Sequence, residues 1–458
     1  TLDQWNRERY LPLRLLTSQT NVGRDPDSLS PCAVAYELGY RLASCGLGLQ
    51  FQYGPHAGFR SSTFQSSARF QPASSEAQSE EGGIMRVERI GLALVLVTLI
   101  PGCVGENQAE PASGTVRKGG DNRNGEYVAA ANWWKPAPDH TDGWSWGLVS
   151  GVVADNPNRI IVSSRSDRNA EGEERPNSSN HIVVVDGNGN ITENWTQWDT
   201  LVAFPHQLYI SPYDPERHIW VVERGGGERN VHEQVLKFTN DGQELVLRLL
   251  DPMPRQTEAE ARANKNPGPF DYGQASTLAF LPNGDFLLGD GYQNGRIIRY
   301  NAEGEFVSEF GSVGTGPSQF DLIHGVGMDR DHRIYVSDRD NNRIQVFTED
   351  GEFIEEWPDI TGPTGIYVDE NEDVWVISTT LNHVLKYNNN GELQYGFGAY
   401  CCTRGGFVGG LSRPHQMAVD QDGNVYIANY DGGYVTKFTP RPDADPSKLI
   451  GQPLLLER

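Results

Sequence analysis

Apolar and polar positions alternate in short bursts from about residue 126 to the end of the chain. In "FDLIHGVGMDRDHRIYVSDRDNNRIQVFTEDGEFIEEW", residues 320–357, the runs "GVGMD", "RIYVSD", "RIQVFT" and "EFIEEW" are separated by "RDHR", "RDNN" and "EDG". Short β-branched and aromatic runs cut by Asp, Asn and Gly predict strands joined by tight turns. The same pattern returns at 146–195, 204–249, 275–311, 362–398 and 412–438, with the copy at 146–195 the most divergent. A repeat of roughly 40–60 residues with four strands predicts a β-propeller, because one small twisted sheet buries its faces only against neighbours. Six copies predict an all-β, six-bladed propeller over 126–458. The ring needs a closing strand, and either "EYVAAANWW" (126–134) or "KLIGQPLLL" (448–456) is suited to donate it.

The first 125 residues lack this alternation. Met85 opens a basic segment with Arg86 and Arg89, followed by the apolar run Ile90 to Ile100 and then Gly102 and Cys103. The run is too short to span a bilayer and reads as a signal peptide over 85–102. "LIPGC" resembles the lipobox of bacterial lipoproteins, with Cys103 as the lipid acceptor. Residues 103–125, polar and Gly-rich, read as a flexible tether. Residues 1–84 read as mistranslated upstream sequence, since Glu80-Glu81-Gly82-Gly83 is encodable by a purine-rich, ribosome-binding-like string. A disordered extension is the alternative. The expected location is thus exported and bacterial, periplasmic or on the outer membrane or cell surface, touching membrane only through the anchor.

The formal charge of -23 argues against nucleic acid or an anionic membrane as partner. Beyond the leader and Cys103, Cys401 and Cys402 are the remaining thiols, so the exported domain is no disulfide scaffold. They read either as a vicinal bridge or as two loop thiols. "GLVSG" (147–151) is not a nucleophile elbow, because no α/β-hydrolase pattern surrounds Ser150.

One position of the repeat carries chemistry. It is His206 in "FPHQL", His324 in "LIHGV" and His415 in "RPHQM", while the other copies have "WGLVS", "ASTLA" and "PTGIY". The imidazoles therefore fall on alternate blades, about 120° apart around the axis of a six-blade ring. Three convergent neutral imidazoles with no fourth protein ligand make an open Zn²⁺ site. After the second strand the copies carry Arg165, Arg224, Tyr292, Arg339, Thr379 and Tyr430. Guanidiniums and phenols there predict an anion-binding mouth, with Arg224 and Tyr430 as substrate contacts. The alternative is local pairing of Arg224 and Arg339 with Glu223, Asp338 and Asp340.

"GTGPSQF" (314–320) and "DRDNNRIQVF" (338–347) resemble the NHL repeat family, which includes scaffolds as well as enzymes. "PHQL", "SQFDLIHGVGM", "RPHQMAVDQDGNVYIAN" and "GDGYQNGRI" together resemble the peptidyl-α-hydroxyglycine α-amidating lyases. The resemblance implies zinc on His206, His324 and His415, with Tyr292, Arg165 and Arg339 as catalytic residues. It also implies a carboxylate-bearing small-molecule or peptide substrate cleaved to an amide and glyoxylate. The family's cysteine beside the catalytic tyrosine is Gln293 here, so that disulfide is missing. Its acidic calcium ligand is Gln416, so a structural Ca²⁺ is not expected to bind well. The chain shows no monooxygenase domain, so a separate monooxygenase is a candidate partner. The runner-up reading is a non-catalytic NHL propeller binding a peptide, glycan or protein at the cell surface. A lactonase-like hydrolase is disfavoured, since those bring acidic and amide ligands to the axis.

Overall fold

The computed structural model describes residues 122–176, 179–225, 232–250, 267–401 and 407–456. The leader, the signal peptide, Cys103, residues 104–121 and Cys402 lie outside the described residues. Six four-stranded antiparallel sheets make six blades. Blade 1 runs from Leu148–Asn156 to Ile191–Asn194, and blade 2 from Pro205–Ile210 to Leu245–Leu250. Blade 3 runs from Thr277–Phe280 to Phe306–Phe310, blade 4 from Ile323–Met328 to Phe353–Trp357, and blade 5 from Pro363–Val368 to Leu393–Phe397. Blade 6 holds Pro414–Val419, Val425–Asn429 and Tyr434–Pro440, and its outer strand is Tyr127–Ala129 from the opposite end of the chain. Of the two segments suited to closing the ring, the N-terminal one does so, with Val128 opposite Thr439.

Strand position explains sequence character. The second strands of blades 2 to 6 are buried at every residue, because a neighbouring blade covers each face. "IWVVE" and "VWVIS" are accordingly continuous apolar runs. The outer strand Phe353–Trp357 alternates half-buried and exposed positions and ends on the buried Trp357. The turn between first and second strands is held by one aspartate in each of blades 4, 5 and 6. Asp329, Asp369 and Asp420 each accept two backbone N–H groups of their own turn. The other carboxylate oxygen takes Tyr335 OH, Trp375 Nε1–H or Tyr426 OH, six residues on. These bonds satisfy a buried carboxylate and fix the hairpin together.

The C-terminal segment crosses the end of the channel formed by the last residues of the first strands. Leu454 N–H donates to Val368 O of blade 5, Gln452 Nε2 to Asp420 O of blade 6, and Leu456 N–H to Tyr213 OH of blade 2. Leu454 and Leu456 are buried beside Met328 and Val368, each stabilising by about 1.5–3 kcal/mol. Beneath them lies a cavity of about 270 Å³ lined by Leu208, Val326, Ile366 and Met417. The histidines occupy the other end.

Candidate active site

The axial position is created by a β-bulge. In blades 1, 2, 4, 5 and 6 the first strand slips register across one extra residue, which is Ser150, His206, His324, Thr364 and His415 respectively. A bulged residue leaves the ladder and turns its side chain out of the alternation, here toward the axis. Two residues earlier, Gln274, Leu322, Gly362 and Arg413 take positive φ in blades 3 to 6, which swings the chain into the first strand.

The three imidazoles meet there. All three ring-centroid separations are 4.7 Å, and the candidate ligand nitrogens lie within 4.8 Å of one another. His206 and His324 are fully buried and His415 nearly so. Each Nδ1 is bound to a carbonyl on the next, histidine-free blade: His206 to Ser276 O at 2.6 Å, His324 to Thr364 O at 2.9 Å, His415 to Ser150 O at 2.6 Å. A carbonyl only accepts, so each Nδ1 carries the proton and each Nε2 presents its lone pair inward. Burial, reinforced by neighbouring imidazoles or guanidiniums, holds all three well below the usual histidine range, so they are neutral. Three neutral Nε2 donors with their other nitrogens braced fit a divalent transition metal.

The small hydroxyls of the intervening blades act as struts. Ser150 Oγ donates to Pro205 O and Ser276 Oγ to Ile323 O, the carbonyls just before His206 and His324. Thr364 turns back to Gly362 O instead.

Tyr292 breaks the three-fold symmetry. Its hydroxyl lies 3.1 Å from His206 Nε2 and 3.2 Å from His324 Nε2, while the Tyr430 ring stacks on His415 at 5.2 Å. Tyr292 gets there because Gly291 lets the chain pass blade 4: a Cβ at 291 would lie 2.0 Å from Ile323 O. Burial alone would raise the Tyr292 phenol. The guanidiniums of Arg224, Arg339, Arg165 and Arg413 outweigh it and hold the phenol below its ordinary value.

The arginines divide in two. Arg339 Nε donates to Asp340 at 2.9 Å and Arg413 faces Asp431 at 3.3 Å. Arg224 instead gives Nε–H and Nη2–H to the Gln274 amide oxygen, at 3.0 and 2.6 Å, with its guanidinium 3.8 Å from the Tyr292 ring centroid. Arg165, 1 % exposed, donates from Nε to Pro205 O and from Nη1 to Tyr430 OH. The local-pairing alternative thus describes Arg339 but not Arg224. Glu223 accepts from the backbone N–H groups of Ala203, Phe204 and Gly225, and burial pushes it up to about 7. Asp338 belongs to a brace with Asn341, Arg343 and Glu356, matched in blade 3 by Asp290, Asn294, Arg296 and Glu309. Thr379 gives its backbone N–H to Gly362 O.

Sequence reasoning missed Gln274 and Arg413 as mouth residues and the odd-blade carbonyls as braces. Gln416 is committed elsewhere: its Oε1 accepts from Val152 and Leu208 N–H, and its Nε2 donates to Leu208 O, joining three blades. Gln293 is buried, with its N–H on Gly273 O.

Residues 320–347 match the family described as NHL repeat. Human "NHL repeat-containing protein 3" is 28% identical over 258 residues, 55% of this chain and 71% of that protein. "Peptidyl-glycine alpha-amidating monooxygenase A" of Xenopus laevis is 28% identical over 329 residues, 64% of this chain and 32% of that one. "Peptidyl-alpha-hydroxyglycine alpha-amidating lyase 1" of Drosophila melanogaster is 24% identical over 340 residues, 65% of this chain and 56% of that one. The chain is a six-bladed propeller with an NHL repeat and is a distant homologue of proteins named as amidating lyases.

Proposed function

We propose that the protein is a zinc-dependent carbon–nitrogen lyase of amidating-lyase type. Its substrate is an N-acyl hemiaminal carrying a carboxylate, as in α-hydroxyglycine, and its products are an amide and glyoxylate. The observation that carries this reading is the meeting of three Nε2 lone pairs and one phenol at a single buried point.

His206, His324 and His415 would hold the metal. Zinc, when bound, supplies Lewis-acid polarisation of the substrate hydroxyl. Tyr292, its phenol made more acidic by its arginine neighbours, takes the hydroxyl proton as the phenolate. The oxygen electron pair closes the carbonyl of glyoxylate as the C–N bond breaks, and the nitrogen takes the proton back from Tyr292 to become the amide. Arginine at the mouth holds the carboxylate and balances developing charge, with Arg165 the candidate for the first and Arg339 for the second.

Purified protein should carry about one zinc per chain and release glyoxylate from an α-hydroxyglycine peptide, as the three-histidine site requires. Tyr292→Phe should lower that rate by about a hundredfold or more while retaining zinc. Wild-type protein without zinc, or full activity in Tyr292→Phe, would overturn the reading and favour a non-catalytic binding propeller. Export and anchoring through Cys103 are part of the proposal. Labelled palmitate should enter the cellular protein and be lost in Cys103→Ser.

A further inference from the structure

Four guanidiniums surround the two phenols at the mouth, and they are not equivalent. Arg339 and Arg413 each have an aspartate neighbour. Among the described residues, the hydrogen-bond partners of Arg165 and Arg224 are a carbonyl, a phenol and an amide oxygen, none of them a carboxylate. Arg165 is buried almost completely, yet its Nη2 has no hydrogen-bond partner. A buried, unmatched N–H on a cation loses free energy that folding does not return. The pair comes from adjacent blades, and each member repels the other. The nearby carboxylate, Glu223, is turned to the amides of Ala203, Phe204 and Gly225; it acts on Arg165 by charge and gives neither guanidinium a hydrogen bond. Each guanidinium also lies one aromatic ring away from the imidazoles. Arg224 covers Tyr292, whose hydroxyl meets His206, and Arg165 bonds Tyr430, whose ring lies on His415.

We propose that Arg165 and Arg224 form one seat for a single carboxylate, Arg165 Nη2 giving the buried donor and Arg224 the flanking charge. The seat selects compact acids whose hydroxyl is on the carbon next to the carboxylate. A carboxylate between the two guanidiniums then leaves the adjacent carbon's substituent facing the histidines. Arg224 is by this argument a specificity-determining residue, and Gln274 is its positioning partner. The inference rests on the lyase reading for the direction of the substrate, but the seat itself needs no turnover.

The test is calorimetric titration of metal-free, full-length protein with glycolate, a non-reacting 2-hydroxy acid, at low salt. Glycolamide, its neutral analogue, is the control. Glycolate should bind and glycolamide should not. Arg224→Gln should weaken glycolate by about tenfold or more, the scale of one charge-assisted hydrogen bond. Arg224→Lys, which keeps the charge and the packed stem, should recover part of that loss, and Arg413→Gln, whose guanidinium already faces Asp431, should cost less than Arg224→Gln. Equal binding of glycolate and glycolamide, or wild-type affinity in Arg224→Gln, overturns the seat. So does a greater loss in Arg413→Gln than in Arg224→Gln. Glycolate binding with this pattern but no glyoxylate release from hydroxyglycine peptides would sink the lyase reading and leave the seat standing.

Discussion

Blades 2, 4 and 6 and blades 1, 3 and 5 share one backbone plan and do different work at the axis. The first set turns an imidazole inward from its bulge, while the second offers serine, serine and threonine. The second set looks inert in sequence, but its carbonyls take all three Nδ1 protons and so decide which nitrogen faces the axis. The geometry of this candidate metal site is therefore a property of blade pairs. A site built this way is braced by the same packing that holds the propeller together.

The comparison breaks most severely at a ligand. His324→Ala should weaken zinc by more than the roughly ten- to hundredfold typical of losing an outer partner, read by competition with a chelating dye. Next comes pH, for the metal-free protein. The folded histidines are held well below the usual histidine value of about 6.5, so the unfolded chain binds protons first as pH falls. Stability should be full above about 6.5 and fall below it, by at most about 4 kcal/mol per pH unit for the trio. A denaturation midpoint flat between pH 7 and 5 would show that the imidazoles are not neutral.

Gly291→Ala attacks the seam between blades 3 and 4, where the new methyl meets Ile323 O and Ser276 Oγ. It should destabilise by about 1–3 kcal/mol and displace Tyr292. Unchanged stability would mean the seam is looser than described. Ser276→Ala is the gentlest probe. Loss of its bond to Ile323 O should lower stability by about 1 kcal/mol, with a smaller fall in zinc affinity than His324→Ala gives.

Much of the architecture was legible. Four bursts per repeat and six repeats led to the propeller, and the histidines emerged because aligned copies put them on alternate blades. Their braces did not emerge, because a backbone carbonyl has no sequence signature and any residue supplies one. The arginines were legible as residue types but not as partners. Whether Arg224 meets Glu223, its neighbour in sequence, or Gln274, fifty positions on, depends on which way a loop turns. The closing strand was ambiguous for a similar reason: both candidate segments are apolar and both are used, one as an edge strand and one as a plug.

That plug governs traffic. With Leu454 and Leu456 packed across it, the far end of the channel is covered. Whatever reaches the histidines must leave by the route it entered. On the lyase reading, two products formed there have to queue. The one held deeper blocks the next substrate, so inhibition by that product should be competitive, and opening the blind end would relieve it.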